Sequence, residues 1–497
     1  MSRLLAFDCD KIQAYVYASP RQRDIRLASR RLERVTEEVR KAAGDFGGDA
    51  VGVAAASGVV WFEKDGSGAC ELADLIRREF AAIGISCTVA VVDGDGGFAK
   101  LRELAELKLR EKKDQLDRTV ATVGSPLFVW CEATGVRAAE DVEHTEGGDR
   151  RLSLVVKREW YEATDDAVLD WEQQLADAMC VAREGLWKNT LCGDIDELAT
   201  TYRDQGGEDP DGQVPVALIA ADVNDTGRRF ADFELDDFRK TSDALRQWLA
   251  QALAAAIGRP PECGKRLPAF PIYVGGDDLL VYVPQQDGLH FAQTLCQEFL
   301  KAQKDVEWRD NKGPLTLCVG VAFGKQRTPF RQLSEMAREA EGRAKRARRA
   351  LHPDGDGPCY VEYDIMRGAL PLMERAGETY PRTAGPFTVT AGDAWPQDSL
   401  AALLSAISRL RHEGFPSNKV KEWAAIAGED ADGAALLYHA SVKNLRSEQM
   451  QTLKTVADTL AEPVEIGALP QRKRGERMEC PLVDIAALWD VVKGGRD

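Results

Sequence analysis

The sequence predicts an α+β protein with two ferredoxin-like units, a mostly helical region between them and a helical region after them. Three repeated observations predict this class. An apolar strand that ends in an aspartate occurs twice, a long helical pattern and an apolar hairpin follow each strand, and a further strand follows each hairpin. A chain of 497 residues has room for about three domains of ordinary size.

The second unit has the clearer pattern. Residues 216–221 form a continuous apolar run, which is typical of a buried central strand, and Asp222 and Asn224 follow at its end. Next come a helical pattern at 236–256, an apolar hairpin, a helix at 289–303, the strand LTLCVGVAFG and a helix at 329–350. This β-α-β-β-α-β-α order predicts the split ferredoxin-like sheet that also forms the palm of many polymerases and nucleotide cyclases.

The hairpin of this unit reads YVGGDDLLVYVP and carries Asp277 and Asp278 at its tip. Burying two adjacent carboxylates is costly unless a cation accompanies them. Gly275 and Gly276 supply a tight turn and allow a ligand to come close. Taken alone, GGDD is a weak motif that also fits a solvated turn. The predicted topology brings Asp222 beside the hairpin, and three carboxylates together indicate a two-metal site for Mg²⁺.

The N-terminal unit resembles a degenerate copy of the second one. The segment LLAFDCD aligns with LIAADVN and places Asp8 at the position of Asp222. The stretch VGVAAASGVVWFE has the hairpin pattern, with Ser57 and Gly58 where the second unit has its aspartate pair. We interpret this as an internal duplication. The alternative is chance similarity between two units of one fold, which share apolar patterning.

Composition excludes several classes of protein. The net charge of −16 argues against a basic nucleic-acid binder as a whole. The sequence has no apolar run of about 18 residues, and its first residues do not resemble a signal peptide, so no membrane partner is expected. The eleven cysteines are dispersed and include no C-x-x-C pair. This usage indicates a reducing compartment, and we expect a cytoplasmic protein.

Three segments have a specific pattern: FDCDKIQAYVYASPRQRDIRLASRRL, ALIAADVNDTG with the GGDD hairpin, and SEMAREAEGRAKRARRA. Together they resemble one known family, the large catalytic subunit of type III CRISPR effector complexes. The resemblance extends from residue 3 to about 460. It implies two palm domains, a role in antiviral defence, and partnership with other type III effector subunits, guide RNA and target RNA.

On this basis we predict four regions. They are a degenerate first palm at 1–118, a mostly helical connecting region at 119–213, a second, GGDD-bearing cyclase palm at 214–370, and a C-terminal helical domain at 371–497.

The sequence departs from the family in two places. Many members begin with an HD nuclease domain, but here the first strand starts at Leu4 and no His-Asp dipeptide occurs, so no metal-dependent DNase domain is expected. Many members also bind zinc between the palms through two cysteine pairs. Here Cys131 is kept, but Thr134 stands where a second ligand would be. A structural zinc site needs about four ligands, so we expect no zinc.

The resemblance implies metal-dependent nucleotidyl transfer from ATP, which would yield cyclic oligoadenylates in the presence of Mg²⁺ or Mn²⁺. Asp222, Asp277 and Asp278 are the predicted catalytic residues and metal ligands, with Asp278 as a ligand or as support for one. Gly275 and Gly276 would let the nucleotide approach the turn.

Four further residues are predicted to bind nucleotide. Lys345 would contact the triphosphate as a point charge, although a solvated lysine on a basic helix is an equal alternative. Asn224 would contact a base or ribose. Asp8 and Ser57 would border a second nucleotide without binding metal, although Asp8 also fits a helix cap.

Two other functions compete with cyclic oligoadenylate synthesis. One is a non-catalytic scaffold in an RNA-guided complex, and the retention of all three aspartates argues against it because a scaffold does not need crowded like charges. The other is a freestanding cyclic nucleotide synthase similar to GGDEF proteins, and the fused double palm argues against it.

Overall fold

The structure is a computed structural model, and it describes the greater part of the chain. The described residues are 2–10, 12–16, 19, 22–54, 56–63, 66–115, 129, 131, 139–145, 148–153, 156–157, 170–182, 185–209, 212–259, 265–306, 308, 313–353, 355, 357–366, 384–391, 397–427, 431–461, 469–474 and 477–492. The predicted departure at Thr134 lies outside these residues, whereas Cys131 is described and buried.

The first unit, which we call palm 1, has one four-stranded sheet in the order β2-β3-β1-β4. Its elements are β1 (Ser2–Cys9), α1 (Ile12–Val16), α2 (Gln22–Asp45), β2 (Asp49–Ala54), β3 (Ser57–Phe62), α3 (Gly68–Ala82), β4 (Cys87–Gly94) and α4 (Phe98–Gln115). The described part of the connecting region contains a two-stranded hairpin and two helices. They are β5 (Asp141–Thr145), β6 (Gly148–Leu152), α5 (Asp170–Ala178) and α6 (Ile195–Asp204), with a π-helical turn at Leu186–Thr190.

The second unit, palm 2, has a six-stranded sheet in the order β12-β11-β10-β7-β9-β8. Its elements are β7 (Pro215–Val223), α7 (Thr226–Arg229), α8 (Leu235–Ile257), β8 (Phe270–Val274), β9 (Asp278–Pro284), α9 (Gly288–Ala302), β10 (Leu317–Lys325), α10 (Phe330–Leu351), β11 (Cys359–Ile365) and β12 (Phe387–Val389). The α+β class and the predicted order of elements are confirmed. The sequence-based prediction did not include β11, which pairs parallel with β10, or β12.

Helices dominate the rest of the described chain. They are α11 (Leu400–His412), α12 (Ser417–Ala427), α13 (Ala431–Val442), α14 (Ser447–Leu460) and α15 (Pro481–Leu488), and the short strands β13 (Arg472–Arg474) and β14 (Arg477–Glu479) precede the last of them. Among the described helices, none is long and apolar enough to cross a membrane.

The continuous apolar run of β7 has a physical reason, because both faces of this strand are covered. Ala217, Ile219 and Ala221 pack in a cluster that includes residues of α8, α9 and the C-terminal helices. Leu218 and Ala220 pack in a second cluster that includes α10 and the β1 and α2 residues of palm 1. A strand that is buried on both faces does not need alternating polar residues. The second cluster also ties the two palms together.

The two palms contact each other reciprocally. Helix α8 of palm 2 lies against β2 of palm 1, and α2 of palm 1 lies against β8 of palm 2. The ring of Phe238 on α8 packs against that of Phe98 with a tilt of 57° between their planes, and a Cβ at Gly52 would overlap the Phe238 ring. The equivalent helix of each unit thus contacts the equivalent strand of the other. A duplicated unit that pairs with its own copy about an approximate two-fold axis is expected to make such contacts.

The sheet register supports the duplication but corrects its alignment by one residue. Asp222 lies opposite Asp278 on β9, whereas Asp8 lies opposite Ser57 on β3. Ser57 is therefore the counterpart of Asp278, not of Asp277 as the sequence alignment predicted. The two turns have the same length: two residues lie between Ala54 and Ser57, which pair across β2 and β3, and two lie between Gly275 and Asp278, whose backbones are hydrogen-bonded. The one-residue error in the sequence alignment arises because apolar patterning alone does not fix strand register.

Candidate active site

An open cleft of about 210 Å³ lies where β7 ends, beside the tip of the β8–β9 hairpin and the C-terminal half of α10. It combines acidic residues from the sheet with basic residues from the helix. Its lining residues are Asp222, Val223, Asn224, Asp225, Thr226, Gly227, Asp277, Lys345, Arg348 and Arg349. Such a site can hold a cation and an anion side by side, which a metal-bound nucleotide requires.

Asp222 is held at the sheet edge by β7. Its carboxylate Oδ2 lies 2.9 Å from Nζ of Lys345 on α10, and its side chain is 28% exposed. Burial raises the pKa of Asp222 above its usual value, although the charge and hydrogen bond of Lys345 work in the opposite direction. The carboxylate is therefore partly desolvated, and a cation beside it stabilises its charged form.

Asp277 sits in the turn of the hairpin and faces the same cleft. Its Oδ2 accepts a hydrogen bond of 3.2 Å from the Thr226 hydroxyl at the start of α7. Burial, followed by the negative charges of Asp278 and Asp222, raises the pKa of Asp277 to about 7. Crowded carboxylates with raised pKa values are typical of cation-binding and catalytic sites.

Asp278 differs from its neighbour because its carboxylate points into a separate network. Its Oδ2 accepts a 2.6 Å hydrogen bond from the Tyr273 hydroxyl, which itself accepts one of 2.9 Å from Nη2 of Arg338. Asp278 is not among the residues that line the cleft. Burial raises its pKa, and the hydrogen bond from Tyr273 opposes this shift. This placement favours the supporting role for Asp278 over a direct ligand role.

Gly275 makes this position of Asp278 possible. Its backbone N–H donates to the carbonyl oxygen of Asp278 at 2.6 Å and closes the turn. A Cβ at Gly275 would overlap the Asp278 carboxylate. The first glycine of GGDD is therefore required by the packing of the acidic side chain, in addition to any approach of a ligand.

Helix α10 supplies the basic side of the cleft. Lys345, Arg348 and Arg349 recur at spacings of three and four residues and so share one face. Arg348 is buried, and it donates to the Asp225 carboxylate at 2.6 Å and to the Gly355 carbonyl at 2.7 Å, which fixes the β7–α7 loop. Arg349 is exposed and lines the cleft. Of the two arginines, Arg349 is the one placed to meet a phosphate.

Asn224 lines the cleft, but its amide has partners within the protein. Its Nδ2 donates to the Thr316 hydroxyl at 3.0 Å, and the side chain also hydrogen-bonds to Cys318. Its backbone N–H donates to the carbonyl of Thr316. The structure therefore shows Asn224 joining β7 to the chain before β10, and its contact with a base or ribose stays a prediction.

Palm 1 repeats part of this arrangement without the acidic hairpin. Nζ of Lys113 on α4 lies 2.6 Å from Asp8 and 3.1 Å from Asp10. The hydroxyls of Ser86 and Thr88 donate to Asp10 at 3.1 and 3.2 Å. Asp8 thus belongs to an ion-pair cluster centred on Lys113, and it has the position in palm 1 that Asp222 has in palm 2.

The structure brings Asp222, Asp277, Asn224 and Lys345 together, and it places Asp8 and Ser57 at the equivalent edge of palm 1. Within the described ranges, no group of three or more His, Cys, Asp and Glu side chains is arranged as a metal site. The cleft still fits Mg²⁺, because this ion is commonly bound by one or two carboxylates together with substrate phosphates.

Besides Arg349, which lines the cleft, four supporting residues of the site were missed from the sequence. Thr226, Tyr273, Glu341 and Arg348 each contact a predicted residue or fix its loop. Glu341 and Arg348 had a usable signal, since they lie four before and three after Lys345 on one helix. Thr226 and Tyr273 had none, because their roles depend on how the helices pack against the sheet.

We expect Asp277→Asn to stabilise the metal-free protein by about 1–2 kcal/mol at pH 8 and by much less at pH 5. The pKa of Asp277 is raised to about 7 in the folded state, so folding binds a proton between about pH 4 and 7 and stability falls as the pH rises through this window. Above pH 7 the wild-type carboxylate is charged and crowded, whereas the amide is neutral.

The measurement is denaturant unfolding in EDTA at both pH values. Only the difference from wild type is informative, because burial also raises the pKa of Glu362 to about 7 and gives both proteins a similar pH dependence. Exposed Asp236→Asn is the matched control. A destabilising Asp277→Asn substitution at pH 8 would contradict the crowding of charge at the hairpin tip.

Comparison with known proteins agrees with this geometry. Residues 215–351 match the family model described as Cas10/Cmr2, second palm domain. The crystal structure of a Csm1–Csm4 cassette in complex with cA4 is similar over 99% of this chain and 69% of that chain, with a TM-score of 0.57 and 14% identity. A Csm1–Csm4 cassette in complex with one ATP gives a TM-score of 0.53, with 14% identity and coverage of 99% and 70%.

A third similar structure is a Csm1–Csm4 subcomplex of the type III-A CRISPR-Csm interference complex, with a TM-score of 0.50, 13% identity and coverage of 92% and 70%. The curated protein sequences contain no match to this chain. The sequence identities are low, so these structures show the fold alone. The family match covers palm 2 from β7 to α10. Residues 215–351 are therefore similar to the second palm domain of Cas10/Cmr2, and the fold of the chain is similar to that of chains in Csm1–Csm4 cassettes.

Proposed function

We propose that this chain is an ATP-dependent nucleotidyltransferase that makes cyclic oligoadenylates within a type III CRISPR effector complex, in antiviral defence. The observation that carries the proposal is the cleft itself, in which two crowded carboxylates, Asp222 and Asp277, face the cationic side of α10. The similar Csm1–Csm4 structures with cA4 and with one ATP support the choice of substrate and product.

The proposed reaction joins two nucleotides. The 3′-hydroxyl of one nucleotide loses its proton to water and attacks the α-phosphorus of the next. A P–O bond forms, the bond from the α-phosphorus to the oxygen that bridges to the β-phosphate breaks, and pyrophosphate leaves. Repetition and a final intramolecular attack give a ring. Asp222 and Asp277 would hold Mg²⁺ or Mn²⁺, which would supply Lewis-acid stabilisation of phosphate charge.

The chain's own residues bind and orient. Arg349 and Lys345 place positive charge beside the triphosphate, and Arg348 fixes the loop that carries Thr226. Thr226 orients Asp277 through its hydroxyl, and Tyr273 orients Asp278 in the same way. Preorganised charges of this kind stabilise developing negative charge without rearrangement during the reaction.

The partners are proposed from the same comparison. The similar chains occur with Csm4 and in a type III-A interference complex, so we expect this chain to assemble with other type III subunits and to act together with guide and target RNA. A scaffold without activity would assemble in the same way but make no product.

The test incubates the purified chain with each of the four nucleoside triphosphates and Mg²⁺ or Mn²⁺, alone and with its co-purifying subunits, guide RNA and target RNA. Mass spectrometry then identifies the products. We expect cyclic oligomers of AMP from ATP. If no oligonucleotide forms under any of these conditions, the proposal is wrong and the chain is a non-catalytic scaffold. If the chain is fully active without RNA or partner subunits, it is a freestanding synthase.

A further inference from the structure

Lys345 occupies a position between carboxylates in the cleft of palm 2. Its Nζ lies 2.9 Å from Oδ2 of Asp222 and 2.6 Å from Oε1 of Glu341, one helical turn earlier. The side chain is 26% exposed, and its charge also acts on Asp277. A lysine that only coats the surface of a basic helix would not be drawn inward to two partly buried acids.

The same feature occurs in palm 1. Lys113 lies on the helix that follows the fourth strand, as Lys345 does, and it pairs with Asp8, the counterpart of Asp222. The two lysines therefore occupy equivalent places in both copies. A repeated ion pair at a repeated position indicates that the aspartate at the end of the first strand needs a cation beside it.

The surroundings of the two lysines differ in charge. Lys113 contacts Asp8 and Asp10, and hydroxyl groups of Ser86 and Thr88 donate further hydrogen bonds to Asp10. In palm 2 the set is more acidic and consists of Asp222, Glu341, Asp277 and Asp278. The charges of Lys345, Arg338 and Arg349 act on Asp222, so three cationic side chains accompany four carboxylates. The four ionised carboxylates therefore exceed the cations beside them by one charge.

We propose that Lys345 is the resident counter-cation of Asp222, and that a divalent cation must displace its ammonium group in order to bind Asp222 and Asp277. The freed ammonium then faces the cleft, where Arg349 already stands, and contacts a nucleotide phosphate. This inference rests on the proposed metal-dependent function and assigns Lys345 a positioning role in it. In palm 1, the equivalent exchange does not occur, because no acidic hairpin supplies further ligands.

The exchange predicts that Lys345 competes with metal. Replacement by methionine removes the charge and keeps the length of the stem, so we expect Lys345→Met to bind Mn²⁺ about tenfold more tightly than wild type. The same variant should be less stable without metal and should gain more stability from added Mg²⁺ than wild type gains. Lys345→Arg keeps the charge and should retain the wild-type Mn²⁺ affinity.

The experiment measures Mn²⁺ binding by electron paramagnetic resonance and thermal unfolding with and without Mg²⁺, in the absence of nucleotide. Neither readout depends on activity. Arg346→Met is the matched control, because Arg346 is the next residue of the same helix, is exposed and lies outside the set that lines the cleft. The control should bind Mn²⁺ as wild type does.

The Asp277→Asn variant distinguishes failure of the proposed metal site from failure of the proposed role of Lys345. If this variant binds Mn²⁺ as wild type does, the carboxylates are not the metal site and the proposed function loses its basis. If Asp277→Asn weakens binding while Lys345→Met binds no more tightly than wild type, the metal site stands and the counter-cation role of Lys345 is wrong. If Arg346→Met binds Mn²⁺ as tightly as Lys345→Met does, the gain in affinity comes from the lower net positive charge alone. This result would also overturn the counter-cation role of Lys345.

Discussion

Asp277→Ala combined with Asp278→Ala is expected to lower product formation by about a thousandfold or more while the fold stays intact. Asp277 lines the cleft, and Asp278 supports the hairpin from behind through Tyr273. Their loss removes a predicted metal ligand and the hydrogen-bonded support of the hairpin, and stabilisation of phosphate charge by metal ions amounts to several kcal/mol.

The fold should remain intact because burying these two charged carboxylates lowers the stability of the folded state. Burial raises the pKa of both groups, so their charged forms oppose folding at neutral pH. Circular dichroism and thermal unfolding would verify the fold, and mass spectrometry would measure product. Asp236→Ala with Asp237→Ala is the matched control, since it removes an adjacent aspartate pair on α8 of the same palm. Undiminished synthesis by the hairpin variant would contradict the catalytic assignment.

Ser57→Trp is expected to lower synthesis by about a hundredfold while leaving the binding of one nucleotide at palm 2 unchanged. Joining two nucleotides requires a second pocket that faces the first. Ser57 is half-buried opposite Asp8, at the place where palm 2 has Asp278 opposite Asp222. A bulky ring at this edge of palm 1 should exclude the second nucleotide or misplace it, and small misplacements are costly in group transfer.

The neighbouring Gly58 is unsuitable for this test. A Cβ there would overlap the Val53 backbone of β2, so a substitution would disturb the sheet before it reached any pocket. Ser57→Ala is the matched control and should remain active. Calorimetry with a non-hydrolysable ATP analogue would measure binding at palm 2. Synthesis by Ser57→Trp at the wild-type rate would show that palm 1 is structural and that the two-pocket mechanism is wrong.

The sequence predicted the fold correctly where a local pattern of residues is compatible with few structures. The apolar run before Asp222 indicated a strand buried on both faces, and GGDD indicated a hairpin with acidic side chains that need a partner. These features depend on local pattern, which the chain displays directly. The resemblance of the two aspartate strands then predicted the duplication.

Features that depend on packing between elements were not visible in the sequence. The ion pair of Lys345 with Asp222 forms because α10 packs closely on β10, where Gly320 has no Cβ to overlap the Ala337 carbonyl. The different orientations of Asp277 and Asp278 depend on Tyr273 and on α10 beyond it. The register of Ser57 depends on the backbone pairing of β1 with β3, which apolar periodicity does not fix to a single residue.

The most direct test of the nucleotidyl-transfer assignment follows both products of the reaction in the reconstituted complex with guide and target RNA. ATP labelled at the α-phosphate reports phosphodiester bonds, and an enzymatic assay reports pyrophosphate. We predict one pyrophosphate for each bond formed, with the α-phosphate retained in a cyclic product, and loss of both signals in Asp222→Asn. Release of orthophosphate without bond formation, or equal signals from Asp222→Asn, would contradict the assignment.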